Sequence, residues 1–316
     1  MNAPKISIVV NCFNGEEHLR EALDSIFQQT YQDWEVIFWD NCSSDLSASI
    51  ANSYGEKIRY FRSNELTSLG KARRLAVEKA VGEWVCFLDV DDRWHPKKLE
   101  AQIRDLEMGD YLFAYAGVCE IKKNGEKIRE VIPKLQTGFI FGSLITNFEL
   151  NMVTPIFNRE KAEILNIRFD DAITASEEFN FFMRLAYHGN ALVQHKVLGD
   201  YRLHSGSLTY RSMGEWANER RITLKQLETS FPDIEKLYAN ELEEANAKGD
   251  YYEAMYLMSK GNLRDARALL KPLTSVNYKY KFLYYASFHK QIWSLIHSDL
   301  IKRVIFYKIQ KMLGER

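Results

Sequence analysis

Hydrophobic positions in the first hundred residues fall into short runs of alternating kind. "KISIVV" (5–10) is β-branched and almost wholly apolar, the pattern of a strand buried on both faces. "HLREALDSIFQQ" follows, with Leu19, Leu23, Ile26 and Phe27 at helical spacing. "WEVIFW" (34–39) predicts a second strand, and "SSDLSASIANSY" a second helix for which Ser43 or Ser44 offers the N-cap. "IRYF" (58–61) predicts a third strand, "KARRLAVEKA" (71–80) a helix closed by Gly82, and "EWVCFL" (83–88) a fourth strand. Pro96 opens another helix, with Leu99, Ile103 and Leu106 on one face.

Strands alternating with helices at this interval predict βαβ units and a parallel sheet. In such sheets ligands gather beyond the carboxyl ends of the strands. That gives "CFLDVDDRWHP" (86–96) a geometric meaning. An apolar run stops, and Asp89, Asp91 and Asp92 follow just past the fourth strand. Asp40 sits just past the second strand and Asn11 just past the first, so three strand ends present polar groups to one rim. Crowded carboxylates at a strand end point to a hard cation, which relieves their repulsion. Capping of the helix at Pro96 accounts for one carboxylate but not for three.

From about residue 111 the pattern loosens. "YLFAYAGVCEI" and "HKVLGDYRL" read as further strands, with "SEEFNFFMRLAYHG" as a helix between them. Beyond about residue 212 the chain reads as helical throughout. "YANELEEANAKGDYYEAMYLMSKGNLRDARALLKPL" has Ala, Gly and aromatic positions like those of a tetratricopeptide helix pair, without a second copy. The last stretch, "FLYYASFHKQIWSLIHSDLIKRVIFYKIQKML", is aromatic, basic and amphipathic. It could lie on a membrane surface or pack on the body as a terminal helix.

Composition acts mainly by exclusion. A chain of 316 residues, 46% apolar, is long enough for about two domains. The formal net charge of -1 implies no bulk attraction to nucleic acid. No run of about 18 uncharged apolar residues predicts a membrane span. "MNAPKISIVVNCFNGEE" turns polar too early for a secretory signal. Cys12, Cys42, Cys86 and Cys119 are widely spaced and read as small buried hydrophobes, not a disulfide framework or a zinc site; a reducing, cytoplasmic compartment is expected.

Longer segments carry a family resemblance. "NCFNGEEHLREALDSIFQQTYQDWEVIFWDNCSSD" is followed by "NELTSLGKARRLAVEKAVGEWVCFLDVDDRWHPKKL", then by "VTPIFNREKAEILNIRFDD", "ASEEFNFFMRLAYHG" and "YRLHSGSLT". In this order and spacing, over residues 4 to 212, the chain resembles the inverting family-two glycosyltransferases of the GT-A fold. The resemblance implies an α/β, Rossmann-like, mostly parallel sheet flanked by helices over residues 1–212, with an all-helical extension over 213–316. It implies metal-dependent transfer of a hexose or N-acetylhexosamine from a nucleotide sugar, UDP-linked by preference, to a glycan or lipid-linked glycan acceptor. The cofactor would be Mn²⁺ or Mg²⁺, and the setting the synthesis of a bacterial cell-surface glycan. Apart from the resemblance, the cysteine usage points to the cytoplasm, and the amphipathic C-terminal helices leave open either peripheral contact with the inner face of the cell membrane or packing on the body.

The resemblance also assigns roles. Asn11, Phe13, Asp40, Arg73 and Asp89 fall on the donor side. Asp40 matches the acid that accepts a hydrogen bond from the base; capping of the next helix is the structural alternative. The usual "DDGS" reads "DNCS" here, with Asn41 for the second acid and Cys42 for the glycine. Arg73 matches an arginine that faces the nucleotide, and its planar fork suits a diphosphate; Arg74 departs from the usual "ARN". Asp89 and Asp91 form the D-x-D motif, with Asp91, Asp92 and His204 as metal ligands. Glu178 stands where an aspartate is the usual catalytic base, preceded by Glu177, and Asp171 is next in line. Both glutamates would also suit the positive end of a helix capped by Ser176. Arg184 should pair with a nearby acid, and Trp94 walls a sugar pocket or belongs to the core. Two other classes compete. A nucleotidyltransferase would need a glycine-rich loop where "NCFNGEEHL" has one glycine. A non-catalytic binding module could have lost its base and present the helical region to a partner.

Overall fold

The computed structural model describes residues 3–204 and 212–297. They form two compact units, one running to Ser212 and including Thr229–Phe231, the other made of Met213–Glu228 and the chain from Pro232.

The first unit is built on a nine-stranded sheet. Strands β1 (Ile6–Cys12), β2 (Trp34–Asp40), β3 (Ile58–Arg62) and β4 (Trp84–Phe87) run parallel in the order β3-β2-β1-β4. Helices α1 (Leu19–Phe27), α2 (Ser47–Asn52), α3 (Leu69–Val77) and α4 (Lys98–Leu106) alternate with them as the periodicity predicts. Ile6, Ile8 and Val10 of β1 and Val36 and Phe38 of β2 join Leu19, Leu23 and Ile26 of α1 in one buried cluster. Each such side chain contributes roughly 1.5–3 kcal/mol on leaving water.

Two local expectations are corrected. α2 begins at Ser47 without a side-chain cap, because Ser43 is engaged elsewhere: its hydroxyl accepts the Asn14 backbone N–H at 3.0 Å. α3 ends at Val77, four residues before Gly82 is reached, and Gly82 serves a different need. A Cβ there would come within 2.6 Å of the Ser7 backbone nitrogen, so only glycine lets this turn lie against β1.

Beyond β4 the sheet becomes mixed. β8 (Ile156–Asn158) enters antiparallel between β4 and the long strand β6 (Phe113–Lys122). β6 pairs in parallel with β9 (Ala191–Leu203) and antiparallel with β7 (Lys127–Val131). β5, only Arg93–Trp94, pairs antiparallel with β9 and so brings the end of β9 beside the 89–92 turn. Helices α5 (Phe141–Thr146), α6 (Arg159–Ile164) and α7 (Glu177–His188) complete the unit. All four cysteines are free, three of them buried.

From Trp216 the described chain is helical: Trp216–Ser230, Ile234–Leu237, Ala239–Ser259, Leu263–Leu273, Tyr278–Ala286 and Lys290–His297. Ala247, Ala254, Ala266, Leu270, Tyr280, Leu283 and Trp293 share the core of the second unit. No described helix is long and apolar enough to cross a membrane. The amphipathic reading beyond His297, and Ser205–Thr209 of "HSGSLT", lie outside the described residues.

Candidate active site

Parallel register sets the rim. Cys12 pairs with Asp40, and Asp40 with Arg62, so β1, β2 and β3 end together. The chain after β4 stays level, because the Leu88 backbone N–H donates to the Val9 carbonyl at 3.0 Å. Asn11, Phe13, Asp40 and Asp89 therefore stand along one edge. Phe13 is 49% exposed, and the Asn11 side-chain nitrogen is enclosed without a hydrogen-bond partner.

The corner holding the three carboxylates is open, not sealed. The Asp89 side chain keeps 37% of its surface exposed, Asp91 29% and His204 22%. His204, at the end of β9, meets the Asp91 carboxylate at 2.8 Å. Their separation of 113 positions in sequence is bridged by one buried and one part-buried bond. The Asp92 carboxylate accepts the Arg202 backbone N–H at 2.7 Å, and the Arg202 guanidinium donates to the Asp91 carbonyl at 2.7 Å. Arg202 is itself anchored by Glu21 of α1 at 2.6 Å and by the Lys123 carbonyl. Burial, reinforced by the charges of Asp91 and Asp89, pushes the Asp92 carboxyl well above the usual range. His18, at the head of α1, turns its ring toward His204 with centroids 6.5 Å apart. Burial and the charge of Arg202 pull its pKa down, so it presents a neutral ring.

A second cluster links this corner to α7. Arg73 of α3 is 2% exposed and lies between two acids. One arm meets Asp89 at 3.0 Å and the other meets Glu177 at 2.5 Å. Burial opposes the Arg73 charge, but Glu177, Asp89 and Glu178 outweigh it and raise its pKa. The start of α3 is also locked to the loop before α7. A Cβ on Gly70 would fall 2.3 Å from the Asp170 carbonyl oxygen, so this close approach requires glycine. Ser68 donates to the Asp171 carbonyl at 2.8 Å, and Arg74 holds the Asp171 carboxylate through two bonds of 2.6 and 2.9 Å. Glu178 follows Glu177 and makes no ion pair among the described residues. Burial first, then the like charge of Glu177, pushes the Glu178 carboxyl up to about 8, with Arg73 pulling the other way.

With this arrangement in view, comparison with known proteins is decisive. The sequence profile of glycosyl transferase family 2 matches residues 7–167, half of the chain. The chain belongs to glycosyl transferase family 2. An uncharacterized glycosyltransferase of Rickettsia typhi is 27% identical over 224 residues, 67% of this chain and 68% of that protein. The Bacillus subtilis glycosyltransferase TuaG, named for teichuronic acid biosynthesis, is 24% identical over 209 residues, 65% of this chain and 82% of its own length. Among solved structures, S. aureus TarS 1–349 in complex with UDP-GlcNAc has a TM-score of 0.61 at 16% identity, covering 99% of this chain and 93% of that one. The mannosyltransferase PcManGT of Pyrobaculum calidifontis, in complex with GDP-Man and Mn²⁺, has a TM-score of 0.56 at 16% identity, covering 96% and 89%. The fold is that of the GT-A glycosyltransferases.

Within this family 2 frame, several residue roles change. Arg73 does not face the rim: it is enclosed, and it positions Asp89 and Glu177. Asp92 does not face it either; it is 2% exposed and pins β9 to the D-x-D turn. Asp40 is fully buried, its carboxylate already taken by the Ser43 N–H, the Tyr60 hydroxyl and Arg62 at 2.8 Å. A base would reach it only by displacing one of these donors. Asp171 is held by Arg74, whose hydrogen bonds and charge lower its pKa. Trp94 is a core residue, 3% exposed, with its indole N–H donating to the Val153 carbonyl at 2.7 Å. Arg184 donates to the Asn180 side chain and to the Arg168 carbonyl, and the acid whose charge acts on it is Asp170.

The family departures have local explanations. Asn41 both donates to the Thr67 carbonyl and accepts from the Thr67 hydroxyl, each at 2.9 Å, which a carboxylate could not do. Cys42 sits at φ +72°, the left-handed conformation that suits the glycine it replaces. Arg74 finds its partners in Asp171 and Glu78.

The structure adds one feature the sequence did not disclose. A cavity of about 470 Å³ opens beyond the ends of β2 and β3, lined by Trp39, Arg62, Ser63, Asn64, Thr67 and Lys71 among others. The Trp39 indole nitrogen is enclosed there without a hydrogen-bond partner. Only the "NELTS" segment, polar and lying between a strand and "LGKAR", hinted at such a wall.

Proposed function

We propose that this family 2 member transfers a hexose or N-acetylhexosamine, with inversion, from a UDP-sugar to a hydroxyl of a glycan or lipid-linked glycan. The observation that carries this reading is the Asp89–Arg73–Glu177 bridge. It ties the open D-x-D corner to the helix bearing Glu178, so that donor and base ends of one reaction share a rigid frame.

The cavity beside Arg62 takes the nucleobase. Its polar wall of Ser63, Asn64 and Thr67 offers hydrogen bonds. Asp40 contributes indirectly by holding Arg62 at the mouth. The diphosphate lies at the D-x-D corner. No three described His, Cys, Asp or Glu side chains close into a protein-only cage. The residues present nevertheless fit a divalent ion shared with a diphosphate. Asp91 and His204 supply one oxygen and one nitrogen from touching, partly open side chains, a donor pair compatible with Mn²⁺. These two would hold the ion, and Asp89 would meet the ribose. When bound, the ion would neutralise charge on the departing diphosphate.

Glu178 removes the proton of the acceptor hydroxyl as that oxygen attacks the anomeric carbon. Its raised proton affinity suits the task, because a base works best with a pKa near the working pH. The extra methylene of Glu over Asp lengthens the reach of the carboxylate toward the acceptor. Asn41, which together with the Glu178 departure lent the binding-module reading its footing, is accommodated by its two bonds to Thr67. The test is release of UDP from a panel of nucleotide sugars, with and without chelator. Turnover of a UDP-sugar that chelator stops would support the reading. Failure of every donor, with nucleotide binding intact, would return the module.

A further inference from the structure

The helix Tyr278–Ala286 of the second unit carries large side chains on both faces. Tyr280 and Leu283 lie in the core, 0% and 3% exposed. Tyr278, Phe282 and Tyr285, at spacing i, i+4, i+7, are 86%, 49% and 60% exposed. Phe288 and Ile292 continue the exposed series through the following turn and helix. Single exposed apolar residues are ordinary; five in fifteen residues form a patch that marks an interaction surface.

Charge decides the partner. Residues 266–297 contain five Lys and Arg and no Asp or Glu, and Lys281 and Lys290 are both exposed, whereas the Lys279 ammonium lies over the Tyr251 and Tyr280 rings. The bias continues through the sequence: from Ala266 to Arg316 there are ten Lys and Arg against two acids, a net of +8, while the preceding residues sum to -9. A second copy of this face would set lysines against lysines, since a two-fold contact is self-complementary. Exposed aromatic rings flanked by lysines without acids are what a membrane interface selects. The rings sit at the headgroup boundary and the ammonium groups reach the phosphates.

We propose that this face docks the protein peripherally on an anionic lipid bilayer. The inference stands on the second unit alone and does not depend on the donor or the reaction.

The full chain should be sedimented with phosphatidylcholine vesicles, with and without about 30% phosphatidylglycerol, to separate charge from apolar insertion. Binding should require the anionic lipid and weaken when salt is raised from about 0.1 to about 0.5 M, where the screening length shortens. Phe282→Glu/Tyr285→Glu should lower binding about tenfold or more. Lys281→Glu/Lys290→Glu, which alters only exposed charges and leaves the core untouched, should do the same. Equal binding to neutral and anionic vesicles, no binding to either, or anionic binding that both variants retain would overturn the proposal. So would a concentration-dependent dimer broken by Phe282→Glu/Tyr285→Glu in a protein that ignores vesicles.

Discussion

Replacing Arg73 with methionine removes one cation from between two acids while keeping most of the side-chain volume. Arg73 and Glu177 are both about 97% buried, so their attraction is little screened, whereas Asp89 is more than a third open and its share is discounted. Breaking a buried pair by deleting one partner costs about 3–5 kcal/mol, because the other charge is left uncompensated. For a unit of this size that corresponds to a fall of about 10 °C in melting temperature. Urea unfolding followed by tryptophan fluorescence reads the first unit preferentially, since Trp34, Trp39, Trp84 and Trp94 all lie in it. Adding Glu177→Gln to Arg73→Met should recover part of the loss, because the stranded carboxylate is then gone. A cost below about 1 kcal/mol for Arg73→Met, or strict additivity in the double variant, would refute the bridge as the element that sets the α7 position.

Three further outcomes follow from other residues. Cys42→Gly should stabilise the protein by about 1 kcal/mol, since glycine adopts a φ of +72° without the Cβ penalty; thermal unfolding checks it, and a loss of stability would mean the thiol contributes packing that outweighs the strain. Lys98 is fully buried over the Trp94 ring, and burial lowers its pKa from 10.5 to about 8. Because the unfolded chain keeps the proton up to higher pH, the cost is fully present below about 8 and is relieved as pH rises toward 10.5. Lys98→Met should therefore gain up to about 3 kcal/mol at pH 7, a gain that vanishes above pH 10.5; a gain independent of pH would contradict this. Asp91→Ala should abolish the Mn²⁺-dependent part of UDP binding seen by calorimetry while leaving the melting temperature within about 2 °C, because the side chain is partly exposed; unchanged metal-dependent binding would move the cation site elsewhere.

The parts of the fold legible in the sequence share a physical cause. β1, β2 and β4 are largely apolar runs buried on both faces, so their burial is written into their composition, while β3 is a half-buried edge strand. Asp89, Asp91 and Asp92 stood out because three like charges at a strand end need a reason. The strands β5 and β8 escaped notice because two or three residues cannot display a period, and β7 because "KIREV" is mostly charged and exposed. Side-chain direction escaped too. Arg73 and Asp92 read from the sequence as rim residues, but both side chains are buried and hold other groups: Arg73 meets Asp89 and Glu177, and Asp92 accepts the Arg202 backbone N–H. Arg202 and Glu21, 181 residues apart, form a bond that no local pattern could announce.

The claim at the centre is that Glu178 takes the acceptor proton. Glu178→Gln keeps the side chain's size and removes only its basicity. Once the donor is known, steady-state turnover and donor affinity of this variant should be measured together. The account predicts that turnover falls by about 10²–10⁴-fold while donor affinity stays within about threefold. A turnover rate equal to that of the unaltered protein would contradict it.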